Sequence, residues 1–171
     1  MSNLLAQDFY QDTLYQRAQK VYFLAVQSER YLPLAETLFH TLIHRYGPQP
    51  ALQMYTYGIT ALKARYALNP LKKREYLYQA FAQMDAQVQR TPHDVEVRFL
   101  RGSFYYYLPF FLGKRSAAQD DIRTLTRLLL SQPEVYKKRY QEEVLRAIVG
   151  FLQRTGWIEE EMIDRLRTVY E

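Results

Sequence analysis

Apolar residues recur every three or four positions along almost the whole chain. This spacing is the period of an α-helix, because it places the apolar side chains on one face. No bounded segment shows the alternation of apolar and polar residues that a half-buried strand requires. The pattern therefore predicts an all-α fold. The positions expected in the core are Leu38, Leu42, Leu77, Ala80, Met84, Phe99, Gly102, Ile122, Leu125 and Ile148.

Helix start and stop signals divide this pattern into about eight helices. Asn69 and Thr91 each precede a proline, an arrangement typical of an N-cap followed by the first helical turn. Ser116 and Gln119 have the spacing of a capping box. The predicted helices are 3–28, 32–46, 49–67, 70–90, 92–107, 116–131, 133–153 and 157–170.

The prolines and glycines recur at similar intervals. Pro50, Pro92 and Pro133 follow one another at 42 and 41 residues, and Gly58 and Gly102 are 44 residues apart. A unit of about forty residues is typical of stacked helical hairpins, because a single hairpin cannot bury its apolar face alone. We expect one domain over residues 1–171, with hairpins at about 3–46, 49–90 and 92–131 and capping helices at 133–170.

Part of this repeat resembles the tetratricopeptide motif. Pro92, Gly102 and Tyr105 look like the junction between two repeats, where the glycine lets two helices approach and the tyrosine fills the space between them. Ala80 and Met84, which precede Pro92, resemble the tail of the same motif. The resemblance implies a right-handed α-solenoid of stacked antiparallel helix hairpins.

Two other segments resemble an uncharacterised bacterial family of tetratricopeptide-like proteins. In that family an asparagine-proline-leucine helix start precedes an Arg-x-x-Arg helix and a Leu-Pro-x-Phe-Leu-Gly turn. The counterparts here are Asn69, Pro70, Leu71, Arg98, Arg101, Leu108, Pro109, Phe111, Leu112 and Gly113. The resemblance supports the fold and implies binding, without naming an activity.

The amino-acid composition and the absence of catalytic sequence motifs argue against an enzyme. The chain has no cysteine, which excludes a disulfide framework, a thiolate zinc site and a cysteine nucleophile. It also has no glycine-rich phosphate loop, no G-x-S-x-G and no H-E-x-x-H sequence. We therefore expect no catalytic residues and no cofactor.

The start of the chain and its hydropathy bear on location. The first twelve residues lack a basic leader followed by an apolar run, and no eighteen apolar residues run without a charge. We expect a cytoplasmic protein without a membrane span.

One set of residues has the spacing of metal ligands. Glu36, His40 and His44 would form a ladder along one helix. The apolar stripe of that helix leaves the ladder on the solvent side, where nothing would seal a site. We therefore expect a solvated polar face that binds no metal.

Basic residues are concentrated in the middle of the chain. The net charge is +5, and residues 37–139 carry 16 of the 23 Lys and Arg side chains. The basic clusters are Lys72, Lys73 and Arg74; Lys114 and Arg115; and Lys137, Lys138 and Arg139. If they lie near helix starts along one edge, interleaved with tyrosines, they favour an anion or nucleic-acid ligand. This is the alternative to a protein partner.

Arg98 and Arg101 lie one helical turn apart and have two interpretations. They could form a fork for a ligand carboxylate. They could also pair with Asp120 or Asp121 at the start of the next helix, and we favour this second interpretation.

The principal functional hypothesis is a groove for a peptide or protein partner. If Gly58 and Gly102 mark close helix contacts, fixed offsets from each glycine predict the groove residues. These are Tyr55, Ile59, Leu62 and Lys63 in one hairpin and Phe99, Ser103, Tyr106 and Tyr107 in the next. Aromatic, apolar and singly charged side chains suit such a groove. We expect Tyr55, Lys63, Tyr106 and Tyr107 to be partly exposed on one concave surface.

Overall fold

The described chain is helical throughout. The computed structural model describes residues 9–171, and this part contains nine α-helices, three short 3₁₀ turns and no strand. The α-helices are α1 (Thr13–Gln27), α2 (Leu32–Tyr46), α3 (Pro50–Tyr66), α4 (Pro70–Arg90), α5 (Val95–Tyr106), α6 (Arg115–Ser131), α7 (Pro133–Arg139), α8 (Glu142–Thr155) and α9 (Glu160–Tyr170). The 3₁₀ turns are Phe9–Gln11, Glu29–Tyr31 and Phe110–Leu112. The predicted all-α class is confirmed. None of the described helices combines the length and apolar character needed to cross a membrane.

The first helix begins later than predicted. Residues 3–8 of the predicted helix 3–28 lie outside the described residues, and α1 begins after the N-cap Asp12. The Asp12 carboxylate accepts hydrogen bonds from the Leu14 backbone N–H, the Arg45 guanidinium and the Tyr46 hydroxyl, at 2.8, 2.7 and 2.6 Å. The bond from Tyr46 is the main reason that the pKa of Asp12 is lowered. One carboxylate therefore both begins α1 and ties it to α2.

The predicted helix 133–153 is two helices. The backbone is extended at Tyr140 and Gln141, so that α7 ends at Arg139 and α8 begins at Glu142. Basic residues occupy the last turn of α7, and Glu142 and Glu143 occupy the first turn of α8. These charges oppose the partial charges of the two helix ends, which favours a break over one continuous helix.

The predicted caps are partly correct. Asn69 caps α4, because its side-chain oxygen accepts from the backbone N–H groups of Leu71 and Lys72 at 2.8 and 3.3 Å. The prediction for Thr91 is wrong, since this residue ends α4. Asp94 instead caps α5, because its carboxylate accepts the two backbone N–H groups of the first turn at 2.9 Å. A carboxylate is the stronger acceptor for such a terminus.

The capping box at Ser116 is also wrong. Helix α6 begins at Arg115, and its N-cap Lys114 provides no side-chain hydrogen bond. Ser116 consequently lies inside the first turn, beyond the position from which its hydroxyl could cap the helix. The left-handed backbone of Gly113, with φ of 68°, ends the preceding 3₁₀ turn.

The chain forms two compact units. The N-terminal unit is Met1–Thr91 and the C-terminal unit is Pro92–Glu171. In the first, α3 packs against α1, α2 and α4; in the second, α6 packs against α5, α7 and α9, and α8 packs against α5 and α9. The expectation of a single domain over residues 1–171 stays a prediction.

The core of the N-terminal unit is rich in tyrosine. Tyr15 and Tyr55 are buried, and the Gln19 amide donates hydrogen bonds to their hydroxyls at 3.0 and 2.9 Å. At Gly58, a Cβ atom would lie 2.3 Å from the Tyr22 hydroxyl. Only glycine lets α3 approach α1 this closely. The predicted close helix contact at Gly58 is confirmed.

The core of the C-terminal unit joins all its long helices. At Gly102 in α5, a Cβ atom would lie 2.9 Å from Cβ of Asp121 in α6, so this predicted close contact is confirmed as well. The Phe99 and Phe151 rings meet edge to face at 5.7 Å. The Tyr170 hydroxyl of α9 donates to the backbone oxygen of Leu129 in α6 at 2.6 Å.

Most of the expected core is buried. The prediction is confirmed for Leu38, Leu42, Ala80, Met84, Gly102, Ile122, Leu125 and Ile148. It is wrong for Leu77 and Phe99, which are half-buried. Phe99 lies where α5 meets α8, so one side of its ring contacts Phe151 while the other side stays accessible.

Candidate functional site

The α3 half of the predicted groove lies in the core of the N-terminal unit. Tyr55 is 1% exposed and Ile59 is 2% exposed, so the expected exposure of Tyr55 is wrong. The Tyr55 ring stacks on Phe39 at 4.4 Å and meets Tyr22 edge to face at 5.0 Å. The physical reason is that α3 has three neighbouring helices, which leaves little of its surface for a ligand.

Lys63 of α3 is only partly accessible and is already paired. Its ammonium group lies 2.6 Å from the Glu36 carboxylate of α2. Its expected partial exposure is confirmed. The charge that was expected to face a ligand instead links two helices of the N-terminal unit.

The α5 half of the predicted groove is closer to expectation. Ser103 is half-buried and donates a hydrogen bond to the Leu100 backbone oxygen of its own helix. Tyr106 is half-buried, and Tyr107 is 69% exposed. The predicted exposure of these two tyrosines is confirmed.

Tyr106 and Tyr107 belong to a larger set of aromatic residues. We call Tyr106, Tyr107, Phe110, Phe111 and Trp157 the aromatic surface. The Tyr106 ring meets Trp157 at 4.9 Å and Tyr107 at 5.0 Å, both edge to face. Phe110 and Phe111 meet each other at 6.1 Å and are 84% and 73% exposed. Exposed aromatic area of this kind marks an interaction site more often than scattered single residues do.

The chain turns sharply to present the two phenylalanines. Pro109 cannot donate the backbone hydrogen bond that would continue α5. The 3₁₀ turn Phe110–Leu112 follows, and Gly113 closes it with a bond from its N–H to the Phe110 oxygen at 3.0 Å. The turn therefore fixes the backbone while it leaves both rings outside the core.

Charged residues of both signs lie near Trp157, in space or along the chain. The Arg115 guanidinium lies 5.0 Å from the Trp157 ring, a cation–π distance. Lys114 lies 5.0 Å from the Tyr105 ring. The exposed Glu159, Glu160 and Glu161 follow Trp157 closely along the chain. An aromatic centre with a mixed polar margin is the composition of a protein-binding surface.

Arg98 and Arg101 form the ion pair that we favoured. Arg101 donates to both Asp121 oxygens, from Nε at 2.7 Å and from Nη2 at 2.8 Å. Arg98 donates from Nη1 to Asp121 and to Asp120, both at 2.7 Å, and from Nε to the Pro92 oxygen at 2.8 Å. Burial raises the pKa of Asp121, and the bonds from the two arginines oppose that shift. The guanidinium groups are therefore engaged inside the fold, which argues against a ligand fork.

The histidine ladder lies on the solvent side of α2, as predicted. His40 and His44 are exposed, and Glu36 is paired with Lys63. Among the described residues, no group of three or more His, Asp or Glu side chains could hold a metal ion. That the ladder binds no metal stays a prediction.

The basic clusters lie near the starts of three helices. Lys72, Lys73 and Arg74 are exposed in the first turns of α4, and Lys114 and Arg115 begin α6. The third cluster follows the start of α7 at Pro133 closely, as predicted, and because α7 is short the cluster also forms its last turn. Lys and Arg are favoured at such an end because they offset its negative partial charge.

Comparisons with known proteins add no family to this description. The sequence matches no protein-family model, no curated protein and no solved structure with significance. The tetratricopeptide resemblance therefore stays a prediction.

Two residue types escaped the sequence analysis. Phe111 entered that analysis only through the family resemblance, and Phe110 and Trp157 were not singled out. The flanking Pro109 and Gly113 were the available signal, because a turn between two helices has no partner element to cover its side chains.

Proposed function

We propose that this chain is a non-enzymatic interaction module, and that its aromatic surface binds a peptide or a segment of a protein partner. The observation that carries the proposal is the exposure of Tyr107, Phe110 and Phe111 within one short stretch of the chain. The Tyr106 ring, which contacts Tyr107, also contacts Trp157. Tyr, Trp and Arg contribute most of the binding energy in known interfaces. Apolar side chains of the partner would cover rings that now contact water.

The proposal includes the finer architecture that the sequence suggests. Consecutive helices would form antiparallel hairpins that stack as a right-handed, tetratricopeptide-like solenoid. The packing of α1 with α2, α3 with α4, and α5 with α6 supports this idea. A cytoplasmic location is part of the same proposal, and the absence of cysteine agrees with a reducing compartment.

The alternative is an anion or nucleic-acid ligand for the basic middle of the chain. Its support is the exposure of Lys72, Lys73 and Arg74. The position of the third cluster weakens it, since this cluster also forms the last turn of its helix, where Lys and Arg offset the partial charge of the helix end. A steep decrease of affinity with salt concentration would favour this alternative over a protein partner.

Selection from a random peptide library tests the proposal. The full chain would be immobilised, peptides that bind the matrix alone would be removed, and the remaining peptides would then be tested on the variant Phe110→Ser/Phe111→Ser. We expect the remaining peptides to share apolar or aromatic residues at fixed spacing. The control is Leu34→Ser/Val135→Ser, which alters two other exposed apolar side chains and should retain the selected peptides. Enrichment of no common sequence, or equal binding by both variants, would contradict the proposal.

A further inference from the structure

The turn between α3 and α4 exposes two leucines almost completely. Leu68 is 100% exposed and Leu71 is 77% exposed. Asn69 lies between them and caps α4, with its side-chain oxygen bonded to the Leu71 backbone N–H at 2.8 Å. The cap fixes the backbone of the turn, so the leucines project from an ordered element of the N-terminal unit.

The same turn is strongly basic. Arg65, Lys72, Lys73 and Arg74 are all exposed. Glu75 is the one carboxylate in the sequence between Glu36 and Asp85, and it lies 3.0 Å from the Lys72 ammonium group. We call Leu68, Leu71, Lys72, Lys73 and Arg74 the α3–α4 tip. The tip therefore carries a net positive charge, because Glu75 neutralises at most one of its three cationic side chains.

An aromatic residue extends the tip along α4. Leu71 and Tyr78 lie two turns apart on one face, and with Arg74 and Glu75 they line a shallow open depression. Tyr78 is exposed, and the Arg74 guanidinium lies 5.6 Å from its ring. The buried residues of α4 lie further along the helix. The Tyr78 ring meets the buried Phe81 edge to face at 5.9 Å, so the exposed stripe borders the core at its far end.

We propose that the α3–α4 tip binds the surface of an anionic lipid bilayer. Leu68 and Leu71 enter the boundary between headgroups and acyl chains, and Lys72, Lys73 and Arg74 contact anionic headgroups. Leucines beside a basic cluster on a helix are the composition of an interfacial membrane contact. Tyr78 lies at headgroup depth, where amphipathic rings are favoured. The cytoplasmic leaflet presents such a surface, which agrees with the proposed location.

The leucines decide between a bilayer and other anionic partners. A nucleic acid would engage the three cations through its phosphates and gain little from two exposed aliphatic side chains. A protein partner would need a concave, complementary surface for its side chains, whereas the depression beside Leu71 is shallow and open. A bilayer satisfies the apolar and the basic residues together. The contact requires no residue of the aromatic surface, so it is independent of the proposed function.

Sedimentation with vesicles tests the charge requirement. The full chain should sediment with phosphatidylcholine vesicles that contain about 30% phosphatidylserine, and not with phosphatidylcholine alone. The variant Lys72→Gln/Lys73→Gln/Arg74→Gln should bind about 100-fold more weakly, the effect expected for three interfacial cations. The control Lys137→Gln/Lys138→Gln/Arg139→Gln removes the same residue types and charge from the C-terminal unit and should bind as the original chain does.

A fluorescent label tests the insertion of the leucines. The chain has no cysteine, so Leu68→Cys provides a single site for an environment-sensitive dye. We expect a blue shift and stronger emission with phosphatidylserine vesicles, and no shift for the same dye on Thr168→Cys, an exposed position in the C-terminal unit. Leu71→Ser combined with the Leu68 label should reduce the shift. Circular dichroism confirms that each variant is folded.

Four results would overturn the proposal. The first is that the chain does not sediment with anionic vesicles, and the second is that the two basic triple variants lose equal affinity for them. The third is that the dye on Leu68→Cys shows no shift when the protein is bound. The fourth is that single-stranded RNA displaces the chain from vesicles and that this RNA binding does not depend on Leu68. The last result would assign the tip to nucleic acid. The tip variants should still bind a peptide from the library selection, because that peptide contacts the aromatic surface. Failure of the membrane proposal can therefore be distinguished from failure of the proposed function.

Discussion

The Arg101 guanidinium donates hydrogen bonds to both carboxylate oxygens of Asp121 inside the C-terminal unit, at 2.7 and 2.8 Å. Asp121 is fully buried, and Arg98 approaches the same carboxylate at 2.7 Å. Two parallel charge-assisted bonds fix both the distance and the orientation of the groups they join. The pair therefore sets how α5 lies on α6.

Removal of the charge on Asp121 should destabilise the fold strongly. Asp121→Asn removes the buried negative charge that Arg98 and Arg101 both contact, and we expect a loss of about 3 to 5 kcal/mol in the free energy of unfolding. Urea denaturation followed by circular dichroism measures it. Asp164→Asn is the matched control, because its ion pair with Arg167 is exposed and should contribute less than about 1 kcal/mol. Equal effects of the two substitutions would show that the buried pair is not structural.

Two helical glycines should respond to alanine in opposite directions. At Gly102 the new Cβ would meet Asp121 Cβ at 2.9 Å, so Gly102→Ala should cost about 1 to 3 kcal/mol of stability. At Gly150 the nearest atom is the flexible end of Arg154 at 3.3 Å. Gly150→Ala should therefore stabilise α8 by about 0.5 to 1 kcal/mol. Thermal unfolding of both variants gives the signs, and a stable Gly102→Ala protein would contradict the close contact.

Two leucines should differ in proportion to their burial. Leu125 is 1% exposed in α6, and Leu125→Ala should cost about 2 to 5 kcal/mol through lost contacts and a residual cavity. Leu68 is fully exposed, and Leu68→Ala should change stability by less than about 0.5 kcal/mol. Urea denaturation of the pair measures the difference. A large loss at Leu68 would mean that another part of the chain covers it in solution.

The alkaline limit of stability should depend on Tyr170. Burial raises the pKa of its hydroxyl to about 12, so the unfolded chain loses this proton more readily than the folded chain. The resulting stabilisation is complete below a pH of about 10, the ordinary pKa of tyrosine, and is lost as the pH rises toward 12. Tyr170→Phe should flatten this part of the pH profile. At neutral pH it should cost about 1 kcal/mol, because the Leu129 oxygen loses its donor. An unchanged slope between pH 10 and 12 would contradict the assignment.

The sequence allowed some of these contacts to be predicted because their chemistry is local. Arg98 and Arg101 occupy an apolar helix, and a buried cation needs a partner. Asp121 lies in the second turn of the next helix along the chain, within reach once two neighbouring helices pack. Gly102 could be interpreted for the same reason, since a glycine inside a helix usually has a packing role.

Other features depended on tertiary structure that no local pattern encodes. Tyr55 has a side chain suited to either a surface or a core, and its burial follows from the three helices that surround α3. Phe110 and Phe111 show the opposite difference, because large apolar residues are usually buried and these two are exposed. Their exposure follows from the short turn that carries them, between Pro109 and Gly113.

The affinity of a library-selected peptide for the aromatic surface tests the central claim most directly. Trp157 is the only tryptophan in the chain, and its contacts with Tyr106 and Arg115 make its fluorescence a reporter of this surface. A titration with the peptide should change its emission. Phe110→Ser/Phe111→Ser should weaken binding about tenfold or more without lowering the melting temperature, whereas Leu34→Ser/Val135→Ser should bind normally. Equal dissociation constants for the original chain and the Phe110→Ser/Phe111→Ser variant would contradict the account.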